Sequence, residues 1–78
     1  MINKGKMYDL NKRIGQLMRE EREKAKMSLD EVSKKMGYAS RNTVSRMELG
    51  QKDISVEDLQ RFSKAVGFSW IELLKKVA

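Results

Sequence analysis

The apolar residues of this chain recur three or four positions apart, which is the spacing along one face of an α-helix. The period is helical throughout, and serine or glycine stands at most points where one apolar stripe gives way to the next. The pattern therefore predicts an all-α domain of five short helices. Their predicted ranges, caps included, are residues 9–25, 28–37, 40–49, 55–67 and 69–77.

Serine and glycine mark the predicted boundaries most clearly. Ser28 is followed by Glu31 at the spacing of a capping box, in which each side chain accepts a hydrogen bond from the other residue's backbone amide. Gly37 is predicted to end the same helix, because glycine adopts the left-handed conformation of a helix C-terminus without strain. Ser55 and Gly67 are predicted to bound the fourth helix in the same way.

Charge and composition restrict the function. The chain has 17 Lys and Arg against 11 Asp and Glu, a net charge of +6. This excess indicates a polyanionic partner such as DNA, RNA or a membrane surface, with solubility alone as the simpler alternative. The chain has no histidine and no cysteine, and so lacks the commonest general base and the commonest metal ligands. No enzyme, metal site or cofactor is expected.

The N-terminal residues 1–8 carry lysines without the apolar run of a signal peptide. They are predicted to form a flexible basic arm, with the first helix capped by Asp9 and a single domain over residues 9–78. Lack of cysteine fits a reducing compartment, and no apolar run approaches the about 20 residues that span a bilayer. We therefore expect a cytoplasmic protein.

The most informative stretch is residues 28–50, with the sequence SLDEVSKKMGYASRNTVSRMELG. Two helices of about two turns are joined by a tight turn at Gly37, and the small Ser33 faces inward where the second helix must cross closely. This is the plan of a helix-turn-helix, predicted here over residues 28–49. In this motif the second helix lies in the major groove of DNA and the first braces it.

The second helix of the pair carries polar side chains suited to base recognition. Arginine can bond guanine in a bidentate way, asparagine can bond adenine likewise, and a threonine methyl can contact the thymine methyl. Exposed helix positions usually favour Glu and Lys instead, which hold a helix better. The alternative to base recognition is that these side chains only cap the helix and keep its outer face in solvent. The positions predicted to be exposed are Arg41, Asn42, Thr43, Ser45 and Arg46.

The order and spacing of the residues in and around the predicted helix-turn-helix resemble those of the Cro and phage-repressor type of regulator. This group is also called the xenobiotic-response-element family. The resemblance extends over roughly residues 14–74. It implies a five-helix lambda-repressor-like domain and a sequence-specific transcriptional regulator, here a repressor. It also implies a protein encoded by a bacterium or phage and associated with the nucleoid. The matching segments are Met27-Ser28, Asp30-Glu31-Val32, Ser33, Met36-Gly37, Val44-Ser45-Arg46-Met47-Glu48-Leu49-Gly50 and Val66-Gly67.

The resemblance also implies roles for particular residues. Arg22 and Glu48 would form a buried or half-buried ion pair that locks the recognition helix to the bundle, the alternative being two unrelated surface charges. The sequence differs from the family pattern at two places. Position 29 is leucine, where the family usually has a glutamine that binds a phosphate. The turn at Tyr38-Ala39 is one residue longer than the commonest form. The base-reading residues implied are Arg41, Asn42, Thr43 and Arg46.

Phosphate contacts are expected from helix N-termini and flanking polar residues. Each candidate also has a simpler explanation, because the serines can serve as caps and the loop residues as solubilising groups. The candidates are Ser28, Ser40, Ser45, Gln51 and Lys52.

The C-terminal helix is predicted to be more apolar than one small core requires. Leu73 and Leu74 are adjacent and cannot both face that core, so one side of the helix needs a partner chain. A two-fold homodimer would place two recognition helices about 34 Å apart on a near-palindromic operator. The alternative is a helix wholly used to close a thin core. The predicted interface residues are Trp70, Ile71, Leu74 and Val77.

The sequence also allows two other functions to be considered. The apolar C-terminal helix could serve an antitoxin or accessory module that binds a protein partner and DNA only incidentally. A basic membrane-binding surface is disfavoured, because the apolar faces are already needed for the core.

Overall fold

The computed structural model describes residues 4–77, with side chains described for residues 10–76. All regular secondary structure in this range is helical, which confirms the predicted all-α fold of five helices. In chain order the helices are α1 (Lys4–Lys24), α2 (Leu29–Met36), α3 (Asn42–Glu48), α4 (Val56–Val66) and α5 (Trp70–Val77).

The first helix begins earlier than the sequence predicts. α1 starts at Lys4 instead of Leu10, so Asp9 lies inside the helix and is not its cap. Lysine and methionine are good helix formers, and extending a helix by one residue is far easier than nucleating a new one. The stretch predicted as an arm, residues 1–8, is thus helical from Lys4; residues 1–3 lie outside the described range, and flexibility of the arm stays a prediction.

The predicted caps of α2 and α4 are both present. The Ser28 hydroxyl accepts from the Glu31 amide at 3.1 Å, and the Ser28 amide donates to the Glu31 carboxylate at 3.1 Å. Ser55 and Asp58 form the same arrangement at the start of α4, at 3.0 and 3.1 Å. The glycine that ends each helix is left-handed, with φ of 86° after α2 and 89° after α4.

The end of α1 has a cap that the sequence did not indicate. Lys26 has a φ of 57°, the one described residue other than glycine with a positive φ. Its amide donates to the Glu23 carbonyl at 3.0 Å, and the Met27 amide donates to the Arg22 carbonyl at 3.2 Å. These are the two hydrogen bonds of a Schellman motif, with lysine at the position that glycine usually occupies.

One hydrophobic core lies between the five helices, and every helix contributes to it. α1 packs against α3, α4 and α5, while α2 packs against α3 and α4. Phe62 is fully buried and meets Phe68 edge to face, with 5.6 Å between ring centroids. The other large core residues are Ile14, Met18, Val32, Met36, Val44, Met47, Leu59 and Leu73.

The Lys26→Gly substitution is expected to stabilise the protein by about 0.5–1 kcal/mol, because glycine adopts this left-handed conformation without strain. The free energy of unfolding in urea measures the effect. Lys24→Gly, inside the last turn of α1, is the matched control and should destabilise by a similar amount. A loss of stability in both variants would contradict the assignment of Lys26 as the C-terminal cap.

Candidate nucleic-acid interface

The predicted recognition helix, α3, is shorter than the sequence suggested. It covers seven residues, Asn42–Glu48, instead of running from a cap at Ser40 to Leu49. Arg41 holds the position before the first helical residue, while the Ser40 hydroxyl still accepts from the Asn42 amide at 3.1 Å. The longer turn after α2 uses the residues in between, and this delays the start of α3.

The two faces of α3 differ sharply in burial. Val44 and Met47 are fully buried on the inner face. Asn42 and Arg46, four residues apart and therefore on one side of the helix, are exposed. Arg41 is also exposed and Thr43 is half-buried. Three of the four predicted base-reading side chains are thus fully available to a ligand.

The predicted phosphate-binding residues differ in how far they are exposed and in their contacts within the protein. Ser28 and Ser40 are exposed, and although each hydroxyl oxygen accepts a capping bond, its hydrogen stays free to donate. Ser45 is half-buried and Gln51 is exposed. The Lys52 ammonium lies 3.9 Å from a carboxylate oxygen of Asp58, so it is partly neutralised within the protein.

The structure joins the two residues that the family resemblance pairs. The Arg22 guanidinium donates to both carboxylate oxygens of Glu48, from Nε at 2.8 Å and from Nη2 at 3.1 Å. The exposed fractions of the two side chains are 12% and 5%. Arg22 also donates from Nη1 to the Met27 carbonyl at 2.9 Å. This pair therefore connects the end of α1, the start of α2 and the end of α3.

Gly15 sets the distance between α1 and α3. A Cβ atom at this position would lie 2.8 Å from the Glu48 carbonyl oxygen and closer still to that of Met47. The turn that follows α3 is equally tight, because a Cβ atom on Gly50 would lie 2.7 Å from the Lys12 Cα. Sequence reasoning overlooked Gly15, although an isolated glycine inside an amphipathic helical pattern is a known sign of close backbone packing.

Asp58 is the centre of a second polar cluster that sequence reasoning also overlooked. The Tyr38 hydroxyl donates to its Oδ1 at 2.8 Å, and the Ser55 amide donates to its Oδ2 at 3.1 Å. Lys52 approaches Oδ2 from the loop after α3. The cluster thus joins the turn before α3, the loop after it and the start of α4.

The hydrogen bonds of this cluster alter two pKa values. Burial alone would raise the pKa of Asp58, but the hydrogen bonds from Tyr38 and Ser55 and the charge of Lys52 outweigh it, so the pKa is lowered. The pKa of Tyr38 is raised, first by burial and then by its hydrogen bond to the Asp58 carboxylate. Both groups therefore favour the protonation states that make the Tyr38–Asp58 bond.

The last helix is only partly used by the core. Leu73 is 3% exposed, whereas Leu74 and Trp70 are half-buried and Ile71 is 53% exposed. The side chain of Val77, also predicted at the interface, lies outside the described residues. Beside Trp70, an open groove of about 440 Å³ is lined by Gln60, Ser63, Lys64, Phe68 and Trp70.

In the part of the chain that the structure describes, no helix is both long enough and apolar enough to cross a membrane. Among the same residues, no three acidic side chains come together as the ligands of a metal ion.

Comparison with known proteins agrees with this geometry. The helix-turn-helix family matches residues 18–73. The crystal structure of the clp gene regulator ClgR from C. glutamicum superposes with a TM-score of 0.82 at 26% identity, over 87% of each chain. The restriction-modification controller protein C.AhdI from Aeromonas hydrophila superposes with a TM-score of 0.75 at 28% identity, over 83% of this chain and 96% of that one. No curated protein sequence matches the chain.

The family match covers most of the chain, and the protein therefore belongs to the helix-turn-helix family. The predicted Cro and phage-repressor type and the predicted lambda-repressor-like fold are both confirmed. Proteins of this type are DNA-binding transcription regulators and not enzymes, and this description applies to the present chain.

The pKa of Asp58 gives the stability a definite dependence on acid. A carboxyl whose pKa is lowered in the folded state stabilises the protein above its usual value of 3.8 and loses that contribution as the pH falls through the lower folded value. Between pH 5 and about pH 2, urea unfolding should therefore show a steeper loss of stability for the wild type than for Asp58→Asn. Equal slopes for the two proteins would contradict the assignment.

Proposed function

We propose that the protein binds double-stranded DNA in a sequence-specific way, with α3 in the major groove, and represses transcription by occupying an operator. The observation that carries this proposal is the exposure of Asn42 and Arg46 on one side of a helix whose other side is fixed in the core. A helix of this kind fits the major groove, where each base pair presents a distinct set of donors and acceptors. The proposed site of action is the cytoplasm.

Each exposed side chain has a chemistry that suits a base edge. Arg41 and Arg46 can each donate a pair of hydrogen bonds to guanine, and Asn42 can bond adenine through its amide. Thr43 is half-buried, so its proposed contact is limited to its methyl group against thymine. These residues would supply discrimination between sequences, because contacts to phosphates carry no direct sequence information.

Phosphate contacts are proposed for the polar groups around α3. The free hydroxyl hydrogens of Ser28 and Ser40 can donate to phosphate oxygens, and Gln51 can donate through its side-chain amide. The Lys52 ammonium has three donors and can donate to a phosphate while it stays near the Asp58 carboxylate. Ser45 is half-buried and is the least accessible of the candidates. This set would fix the position of the protein on the duplex.

A homodimer through α5 is proposed as the form that binds a near-palindromic operator. Ile71 is 53% exposed, and Leu74 and Trp70 leave part of their apolar surface uncovered. Such a surface on a short helix is normally covered by a partner. A two-fold axis through this helix presents two copies of α3 to successive turns of the same DNA groove.

Replacing one base-reading side chain should reduce discrimination without unfolding the protein. Arg41→Ala or Asn42→Ala is expected to weaken binding to a selected operator by about 1–3 kcal/mol, while thermal unfolding by circular dichroism stays close to wild type. Binding to operator and random duplexes is measured at one salt concentration, because salt alone changes affinity strongly.

The matched control for Arg41→Ala is Arg19→Ala, which removes the same charge from the exposed side of α1, where Arg19 pairs with Glu23. It should lower operator and random binding by a similar small factor. An equal loss on both DNAs for Arg41→Ala and Asn42→Ala would argue against base recognition by α3.

The dimer is tested by placing a charge on its proposed interface. Ile71→Glu should shift the protein to a monomer in sedimentation equilibrium and weaken operator binding, since an unpaired carboxylate would have to be buried. Gln16→Glu adds the same charge to the exposed side of α1. It should leave the association state unchanged and weaken binding to operator and random DNA by the same small factor. Selection from a random DNA pool should return half-sites about one helical turn apart.

The protein-binding alternative uses the same apolar surface. A monomeric wild type that selects no DNA sequence but forms a stoichiometric complex with a protein encoded beside it would favour the antitoxin or accessory role over the regulator.

A further inference from the structure

The two chain segments that flank α3 both reach the same carboxylate. Tyr38 lies in the turn before the helix and donates its hydroxyl to Oδ1 of Asp58 at 2.8 Å. Lys52 lies in the loop after the helix, with its ammonium 3.9 Å from Oδ2. Neither contact involves α3 itself, yet together they enclose its entire length of seven residues.

Asp58 is itself firmly placed. Its side chain is 12% exposed, and the amide of Ser55 donates to its carboxylate as part of the capping box of α4. The next residue, Leu59, is buried in the core, and so is Phe62 one turn later. The carboxylate is therefore fixed to the body of the domain and can serve as an anchor for the two segments that flank α3.

The Arg22–Glu48 pair leaves one end of α3 without a comparable anchor. Glu48 is the last residue of the helix, so this pair ties only the C-terminal end of α3 to α1. At the other end, the Tyr38 amide donates to the Ser33 carbonyl at 2.9 Å. Arg41 holds the N-cap position without a side-chain capping bond, and the Asn42 amide donates to the exposed Ser40 hydroxyl. The hydrogen bond from the Tyr38 hydroxyl to Asp58 connects the segment before α3 to α4.

We propose that Asp58 is a positioning residue that ties both segments flanking α3 to α4 and so sets the orientation of the recognition helix before DNA arrives. The consequence for base reading rests on the proposed function. Productive hydrogen bonds to base edges need side chains held to within about 0.5 Å. A recognition helix that tilts would keep its attraction to phosphates while losing its preference between sequences.

The proposal predicts that the two flanking segments are coupled through Asp58. In Tyr38→Phe, amide hydrogen exchange should rise at Asn42 and also at Gln51, whose amide bonds the Arg46 carbonyl on the far side of α3. In Lys52→Met, exchange should rise at Asn42 as well as at Gln51. Each rate is compared with that of the buried Phe62, which reports opening of the whole domain. An increase of about three- to tenfold beyond the change at Phe62 is expected for Tyr38→Phe. The increase for Lys52→Met should be smaller, because a long, partly exposed ion pair contributes less than a hydrogen bond.

Glu57→Gln is the matched control, because it changes the adjacent carboxylate of α4, which pairs with Arg61 instead of either flanking segment. Its exchange rates at Asn42 and Gln51 should follow that of Phe62. If Tyr38→Phe changes Asn42 alone, or if all amides change equally, Asp58 does not couple the two segments and the proposal is overturned. These exchange measurements need no DNA, so they decide the coupling even if the protein selects no sequence.

DNA binding gives the second readout. Tyr38→Phe should lower the ratio of operator to random affinity about tenfold, with the salt dependence of binding unchanged, because no phosphate contact is removed. An unchanged ratio together with the expected coupling in exchange would reject the role in base reading. A wild type with no preferred sequence would instead reject the proposed function.

Discussion

The proposed recognition helix, α3, has seven residues, and isolated helices shorter than about 12–15 residues are marginal in water. Its conformation therefore depends on contacts with the rest of the domain. The most specific of these is the bidentate pair between Arg22 and Glu48, which lies largely out of solvent. Loss of one partner would leave an uncompensated charge in the interior, at a cost of about 3–5 kcal/mol. The same pair also holds the Met27 carbonyl, so the entry to α2 is fixed with the end of α3.

Close backbone packing gives this ion pair its geometry. Gly15 lets α1 approach the last carbonyls of α3 without a side chain between them, and Gly50 lets the following turn pass over Lys12. Arg22, about two turns further along α1, is then near enough to reach Glu48 with both its Nε and its Nη2. A rigid bidentate contact tolerates little displacement, because both hydrogen bonds depend on the same relative position of the two groups. The glycines and the ion pair therefore act as one structural unit.

The features that the sequence predicted are those set by neighbouring residues. The capping box at Ser28 and the helix end at Gly37 need only a few residues of context, and both are present. The approach of Arg22 to Glu48, 26 residues apart, was reached only through the family resemblance. The left-handed Lys26 and the cluster around Asp58 were overlooked, because a lysine carries no turn signal and because Tyr38 and Asp58 meet only after the helices pack.

Affinity and discrimination for DNA would have separate physical origins in this protein. The net charge of +6 attracts any duplex, and this attraction depends on salt and on the number of phosphates contacted. Discrimination would depend instead on where Asn42 and Arg46 stand relative to base edges, a position that contacts on the opposite side of α3 and at its two ends would determine. Residues that contact no base, such as Gly15 and Asp58, would thus influence sequence preference. A change in specificity in this fold need not involve any residue that touches a base.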